Sequence, residues 1–123
     1  MSDLERWVSV PDAHDYLVSD EGRVRRLMHN GTWREIRGCR NSKGYLKVDL
    51  WCDDIERPGR RKRRQEYIHN LVLMAFVGPR PVDENDEPYH GDHGKGGQLD
   101  NSLPNLRWRP APENSRDHYW EAS

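Results

Sequence analysis

From Leu46 to Leu50 every second residue is aliphatic: Leu46, Val48 and Leu50 fall on one side of an extended chain, while Tyr45, Lys47, Asp49 and Trp51 fall on the other. A period of two suits a strand with one buried face, because a slip of one residue would turn the whole aliphatic set toward water. GYLKVDLW is therefore expected to be a strand, with QEYIH as its partner. The residues between them, with Pro58, Gly59 and a basic run, are expected to project from the sheet as a loop. DYLVSDEGRVRRL reads the same way: Tyr16, Leu17 and Val18 form a strand, Ser19 to Gly22 a turn, and Val24 and Leu27 resume the pattern.

Few residues are available to cover such sheets. In 123 residues, 33% are hydrophobic, 33% charged and only one is Phe, so five Trp and five Tyr must supply much of the core. Buried aromatics of those two types need a partner for the ring N–H or O–H. One small domain, or two very small ones, is what this length supports.

HNLVLMAFVG places Leu71, Val72, Met74, Ala75 and Phe76 in a short apolar run stopped by Gly78 and Pro79, and a buried helix is expected there. Residues 80–91 are polar and Pro-containing, which suits a boundary between modules. From Tyr89 the expectation is extended chain, a Gly-rich loop, a strand over Leu106 to Arg109 and a terminal helix over Glu113 to Trp120.

The net charge of −1 hides a polarised chain. Residues 1–80 hold 16 Lys/Arg against 12 Asp/Glu, and residues 81–123 hold 4 against 9. The basic half gathers Arg57, Arg60, Arg61, Lys62, Arg63 and Arg64 in one run and Arg23, Arg25 and Arg26 in another. Both suit phosphate neutralisation on DNA, although a solvated hairpin tip would look alike by composition. No run of about 20 apolar residues and no signal-peptide pattern is present, so a membrane partner is not expected and a cytoplasmic location is. Cys39 and Cys52 form no C-x-x-C pair and are read as reduced thiols.

The acidic half offers the groups that phosphodiester hydrolysis needs. His93 titrates near neutral pH and suits a general base. Asp92 is a hard oxygen ligand, and on a strand it points away from its neighbour, so the two can serve different tasks. Asn105 is expected to accept a hydrogen bond from one ring nitrogen of His93 and leave the other as base. Asn114 could close a metal site from the last helix, with His118 on the same helical face. Taken singly, Asn105 reads as a turn residue, Asn114 as part of a helix cap and His118 as a surface histidine. Their combination around a Gly-rich loop, Gly94 to Gly97, favours a site.

DHGKGGQLDNSLPNLRWRPAPEN closely resembles the homing-type HNH endonucleases, through His93, Asp100-Asn101, Asn105-Leu106-Arg107-Trp108 and Glu113-Asn114. The resemblance implies that His93 is the general base, that Asn105 orients it, and that Asp92 and Asn114 ligate one divalent cation. His118 stands where related zinc-binding nucleases place a further ligand, which makes it an additional ligand or a phosphate contact. The amide at position 114 favours Mg²⁺ or Mn²⁺ over Zn²⁺. ERWVSVPDAHDYLVSDEGRVRRL resembles the NUMOD4-like module that precedes such nucleases, through Tyr16, Val18, Ser19, Gly22, Arg23 and Val24. Asp100 replaces the first Asn of an Asn-Asn pair, and Gly94 and Gly96 stand where Asp-Gly-Asn is common.

The expected fold is thus α+β: an N-terminal β module over 1–66 with a basic hairpin loop, then a ββα-metal (HNH) nuclease domain over 67–123. The expected activity is metal-dependent nicking or double-strand cleavage of double-stranded DNA. No helix-turn-helix follows residue 114, which predicts weak discrimination unless the N-terminal module, a homodimer or a phage protein partner supplies it. The alternatives are a DNA-binding module without turnover and an accessory nuclease of a phage packaging complex.

Overall fold

The computed structural model describes residues 4–11, 13–54 and 56–110. Its first sheet is an antiparallel meander of β1 (Trp7–Val10), β2 (Ala13–Ser19), β3 (Val24–Leu27) and β4 (Trp33–Ile36). The second joins β5 (Cys39–Arg40), β6 (Leu46–Asp53) and β7 (Arg61–Tyr67). Strand β7 runs directly into the helix α1 (Ile68–Phe76), and a hairpin of β8 (His90–His93) and β9 (Leu106–Arg109) follows, with a 3₁₀ turn at Leu103–Asn105.

The alternation in β6 plays out as the sequence implies. Val48, Leu50 and Cys52 are buried while Asp49, Trp51 and Asp53 are exposed. Pairing with β7 sets Asp53 opposite Arg61, Cys52 opposite Lys62, Trp51 opposite Arg63 and Leu50 opposite Arg64. This corrects the expected loop: Arg61 to Arg64 belong to the strand, and only residues 54–60 connect it to β6. Long aliphatic stems let these residues lie along a sheet and still carry their charge outward.

Between β2 and β3 the chain reverses over Ser19 to Arg23, as expected. Gly22 takes φ +85°, a conformation that costs a side-chain-bearing residue strain. Ser19 is buried, and its Oγ accepts the N–H groups of Glu21 and Arg23 at 3.2 and 3.1 Å, which stiffens the turn.

One apolar cluster runs through all of this. Val10, Tyr16, Val18 and Val24 of the first sheet, Val48 and Leu50 of the second, Ile68, Leu71, Val72 and Leu73 of α1, and Leu106 of β9 are buried together. Each such side chain stabilises the fold by roughly 1.5–3 kcal/mol through burial, so α1, which touches all three sheets, is the keystone. The Tyr16 hydroxyl accepts the Trp51 N–H at 3.1 Å, the polar partner that a buried Tyr requires.

The α+β expectation with a ββα-metal motif is overturned. The described residues form antiparallel sheets around one nine-residue helix, a β-dominated fold. The physical reason lies in the apolar pattern, which among the described residues alternates clearly in β6 and sustains helical spacing only in α1. The β8–β9 hairpin packs against that preceding helix. The terminal helix expected over 113–120 lies outside the described residues. Among the described residues no helix is long and apolar enough to cross a membrane. Cys52 is buried and Cys39 exposed, both as free thiols.

Candidate active site

In the β8–β9 hairpin Asp92 lies opposite Arg107 and His93 opposite Leu106. Consecutive residues of a strand face opposite ways, and here the two faces meet different surroundings. Gly91 and His93 turn toward α1. A Cβ on Gly91 would come within 2.4 Å of Asn70 Oδ1 and 2.7 Å of His69 Cδ2, so only glycine lets β8 lie this close to the helix. Asp92 turns the other way, toward arginines.

The His93 ring is 2% exposed. His69 meets it edge-on with ring centres 4.5 Å apart, and Tyr45 stacks on it at 5.6 Å. Its Nε2 lies 2.8 Å from Asn101 Oδ1. A carbonyl oxygen can only accept, so Nε2 carries the proton and Nδ1 keeps the lone pair. Burial lowers the His93 pKa; the Asn101 hydrogen bond and the charges of Asp92 and Asp100 work against this without reversing it. The resting ring is therefore neutral at pH 7. His69 is pushed down further, to about 3, by burial and then by the positive charge that His93 and Arg80 would place nearby. Among the described residues, His69 Nδ1 and Asn70 Oδ1 are buried without a hydrogen-bond partner.

Asn105 does not hold His93. Its Oδ1 accepts the Gly96 N–H at 2.9 Å, and its Nδ2 donates to the carbonyls of Gly97 and Asp100 at 3.1 and 2.8 Å. With Gly94 N–H donating to the Asn105 carbonyl at 2.8 Å, Asn105 is the internal brace of the Gly-rich loop. The loop carries Asn101 round to the ring, so Asn101 and not Asn105 meets Nε2. Asn101 belongs to the Asp100-Asn101 pair noticed in the sequence, but loop spacing alone cannot say which amide returns to the strand. Tyr45 and His69 were also unforeseen. His69 looks like part of an apolar helical run, and Tyr45 like the start of a strand.

The Asp92 carboxylate is 17% exposed and accepts a hydrogen bond from Arg109 Nη1 at 3.3 Å, with Arg107 Nε at 4.0 Å. It is an oxygen donor of the kind that hard cations prefer. Among the described residues, however, no group of three or more His, Cys, Asp or Glu side chains could hold a metal ion. Asn114 and His118, the other expected ligands, lie outside the described residues.

The basic residues divide. Arg23 pairs with Glu5 and lies 3.8 Å from Glu35, and Arg25 and Arg26 sit over the rings of Trp7 and Tyr16. Arg57 pairs with Asp54, Arg61 with Asp15, Arg63 with Asp49 and Arg64 with Glu66. Arg60 and Lys62 are exposed and make no ion pair among the described residues. Most of the expected DNA-binding set is thus engaged within the fold, leaving a ridge along the start of β7 with Arg60 and Lys62 at its centre.

Comparison with known proteins completes the picture. Residues 5–51, which span the first sheet and most of β6, match the NUMOD4 motif. The N-terminal part of the chain carries a NUMOD4 motif. It is 31% identical over 115 residues to an uncharacterized HNH endonuclease of Acanthamoeba polyphaga mimivirus, a match covering 89% of this chain and 25% of that protein. The chain thus spans about a quarter of the length of the relative it matches. No solved structure matches it. The match to the relative extends beyond the module, because 115 aligned residues cannot fit within 5–51.

Proposed function

We propose that the chain hydrolyses phosphodiester bonds of double-stranded DNA, with His93 as general base. The observation that carries this reading is the His93 ring: buried, held at Nε2 by Asn101, and next in sequence to a carboxylate on the opposite face of the strand. In the reaction His93 Nδ1 takes the proton of a water as its oxygen attacks phosphorus. The bond to the 3′ oxygen breaks, and that oxygen takes a proton from solvent, leaving a 5′-phosphate and a 3′-hydroxyl. A divalent cation, Mg²⁺ or Mn²⁺ rather than Zn²⁺, would be held by Asp92 and Asn114, with His118 as a further ligand or phosphate contact, and would supply Lewis-acid stabilisation of the scissile phosphate. Arg60, Lys62 and their neighbours would grip the duplex backbone. Target discrimination would come from the N-terminal module, a second copy or a protein partner.

A second reading, a DNA-binding module without turnover, is favoured by one observation: the His93 ring is closed in and Asp92 already has arginine partners. Incubating supercoiled plasmid with native protein and with Asp92→Asn, in Mg²⁺ and in Mn²⁺, separates the two. Hydrolysis predicts open circles from the native chain and a loss of at least about 100-fold in the variant. Retained plasmid binding without nicking under either metal would replace the first reading by the second.

A further inference from the structure

We propose that Asn101 is the positioning residue of His93 and that the β2–β3 turn of the NUMOD4 module, through Gly22, holds Asn101 in place. The inference rests on the reading of His93 as base, which it extends to a part of the chain that no catalytic expectation reached. Asn101 is 5% exposed and its Oδ1 takes the Nε2 proton of the ring at 2.8 Å, which selects the tautomer with a free Nδ1.

Its own backbone is pinned from the N-terminal side. A Cβ on Gly22 would lie 2.8 Å from both the Cβ and the carbonyl oxygen of Asn101, so the turn and residue 101 are in contact with no room between them. The next link is a hydrogen bond from the Leu103 N–H to the Asp20 carbonyl at 2.7 Å. The turn is itself rigid, through the Ser19 hydroxyl and through Arg6, whose N–H and Nε both reach the Asp20 carboxylate at 3.1 Å. A chain of short contacts therefore runs from Arg6, just before β1, through the turn and Asn101 to the His93 ring, and the module serves as one wall of the site. Tyr45 and His69 fix the plane of the ring; among the described residues Asn101 is the one shown to distinguish its two nitrogens.

The test uses the full chain with ¹⁵N-labelled histidine, the His93 ring signals being identified by their loss in His93→Gln. Native protein should show His93 protonated at Nε2. Asn101→Leu, similar in size but without an acceptor, should lose that single tautomer and lower kcat for plasmid nicking by about 10- to 100-fold with KM for DNA unchanged. Asn101→Asp, which keeps an acceptor oxygen, should restore both.

Gly22→Ala should shift the His93 signals in the direction of Asn101→Leu. Gly31→Ala is its control: φ there is +86° and nothing lies within 4 Å, so it imposes similar backbone strain in the same sheet without touching Asn101, and should leave the ring unchanged. A native ring protonated at Nδ1, or a tautomer indifferent to folded Asn101→Leu, overturns the positioning role. Gly22→Ala behaving like Gly31→Ala overturns the clamp. If the leucine or alanine variant does not fold, the native tautomer and Asn101→Asp still decide. A native protein with the expected tautomer but no nicking would refute the hydrolytic reading and leave the contact standing.

Discussion

The two faces of strand β8 set neighbouring residues in opposite environments. The inward face, Gly91 and His93, is pressed on α1 among His69, Asn70, Leu73 and Tyr45, where space is tight and charge is costly. The outward face holds Asp92 with Arg107 and Arg109, partly in water, where charge is cheap and geometry loose. The contrast shows how a short hairpin separates two chemical environments: an imidazole whose pKa is lowered by burial on one side, and a carboxylate held among arginines on the other.

Damage on the inward face should be costly. Leu71→Ala, in the helix beneath it, should destabilise the fold by roughly 2 to 5 kcal/mol in urea titrations. Gly91→Ala should cost roughly 1 to 3 kcal/mol, because its methyl would displace Asn70 and His69 from the strand. A neutral result at Gly91 would show that β8 lies farther from α1.

Acid probes the same face. The His69 pKa is lowered on folding, so its contribution is whole above the unfolded value near 6.5. It is lost as pH falls, because the unfolded chain takes the proton first, and the loss continues toward about 3. Between pH 6.5 and 5 the loss from His69 should reach about 2 kcal/mol, seen as a falling Tm. His69→Phe should flatten that slope, and an unchanged slope would remove His69 as its source. The outward face should respond least: Asp92→Asn should change stability by less than about 1 kcal/mol, since partly exposed ion pairs contribute little. A large destabilisation there would erase the distinction between the faces.

Strands β2, β3, β6 and β9 and helix α1 were legible because each has a clear period and a stop signal, such as Gly22 after Ser19 or Gly78 after Phe76. Strand β4 was not: Trp33, Arg34 and Glu35 are exposed, and the strand exists because β3 offers it an edge to pair with. The basic run was legible as charge but not as strand, since its place is set by register with β6. The opposed directions of Asp92 and His93 followed from the strand. That Asn101 rather than Asn105 meets the ring was not legible, because both are asparagines near one loop and only its folded path decides which amide reaches it. The link from Gly22 to Asn101 joins residues 79 apart in sequence, and no local pattern encodes it.

The central claim is that His93 removes a proton from the attacking water. Single-turnover nicking of supercoiled plasmid by native protein and by His93→Gln, both confirmed folded by circular dichroism, tests it most directly. The account predicts that the variant binds plasmid as the native protein does and nicks it about 10² to 10⁴ times more slowly. Equal nicking rates would contradict it.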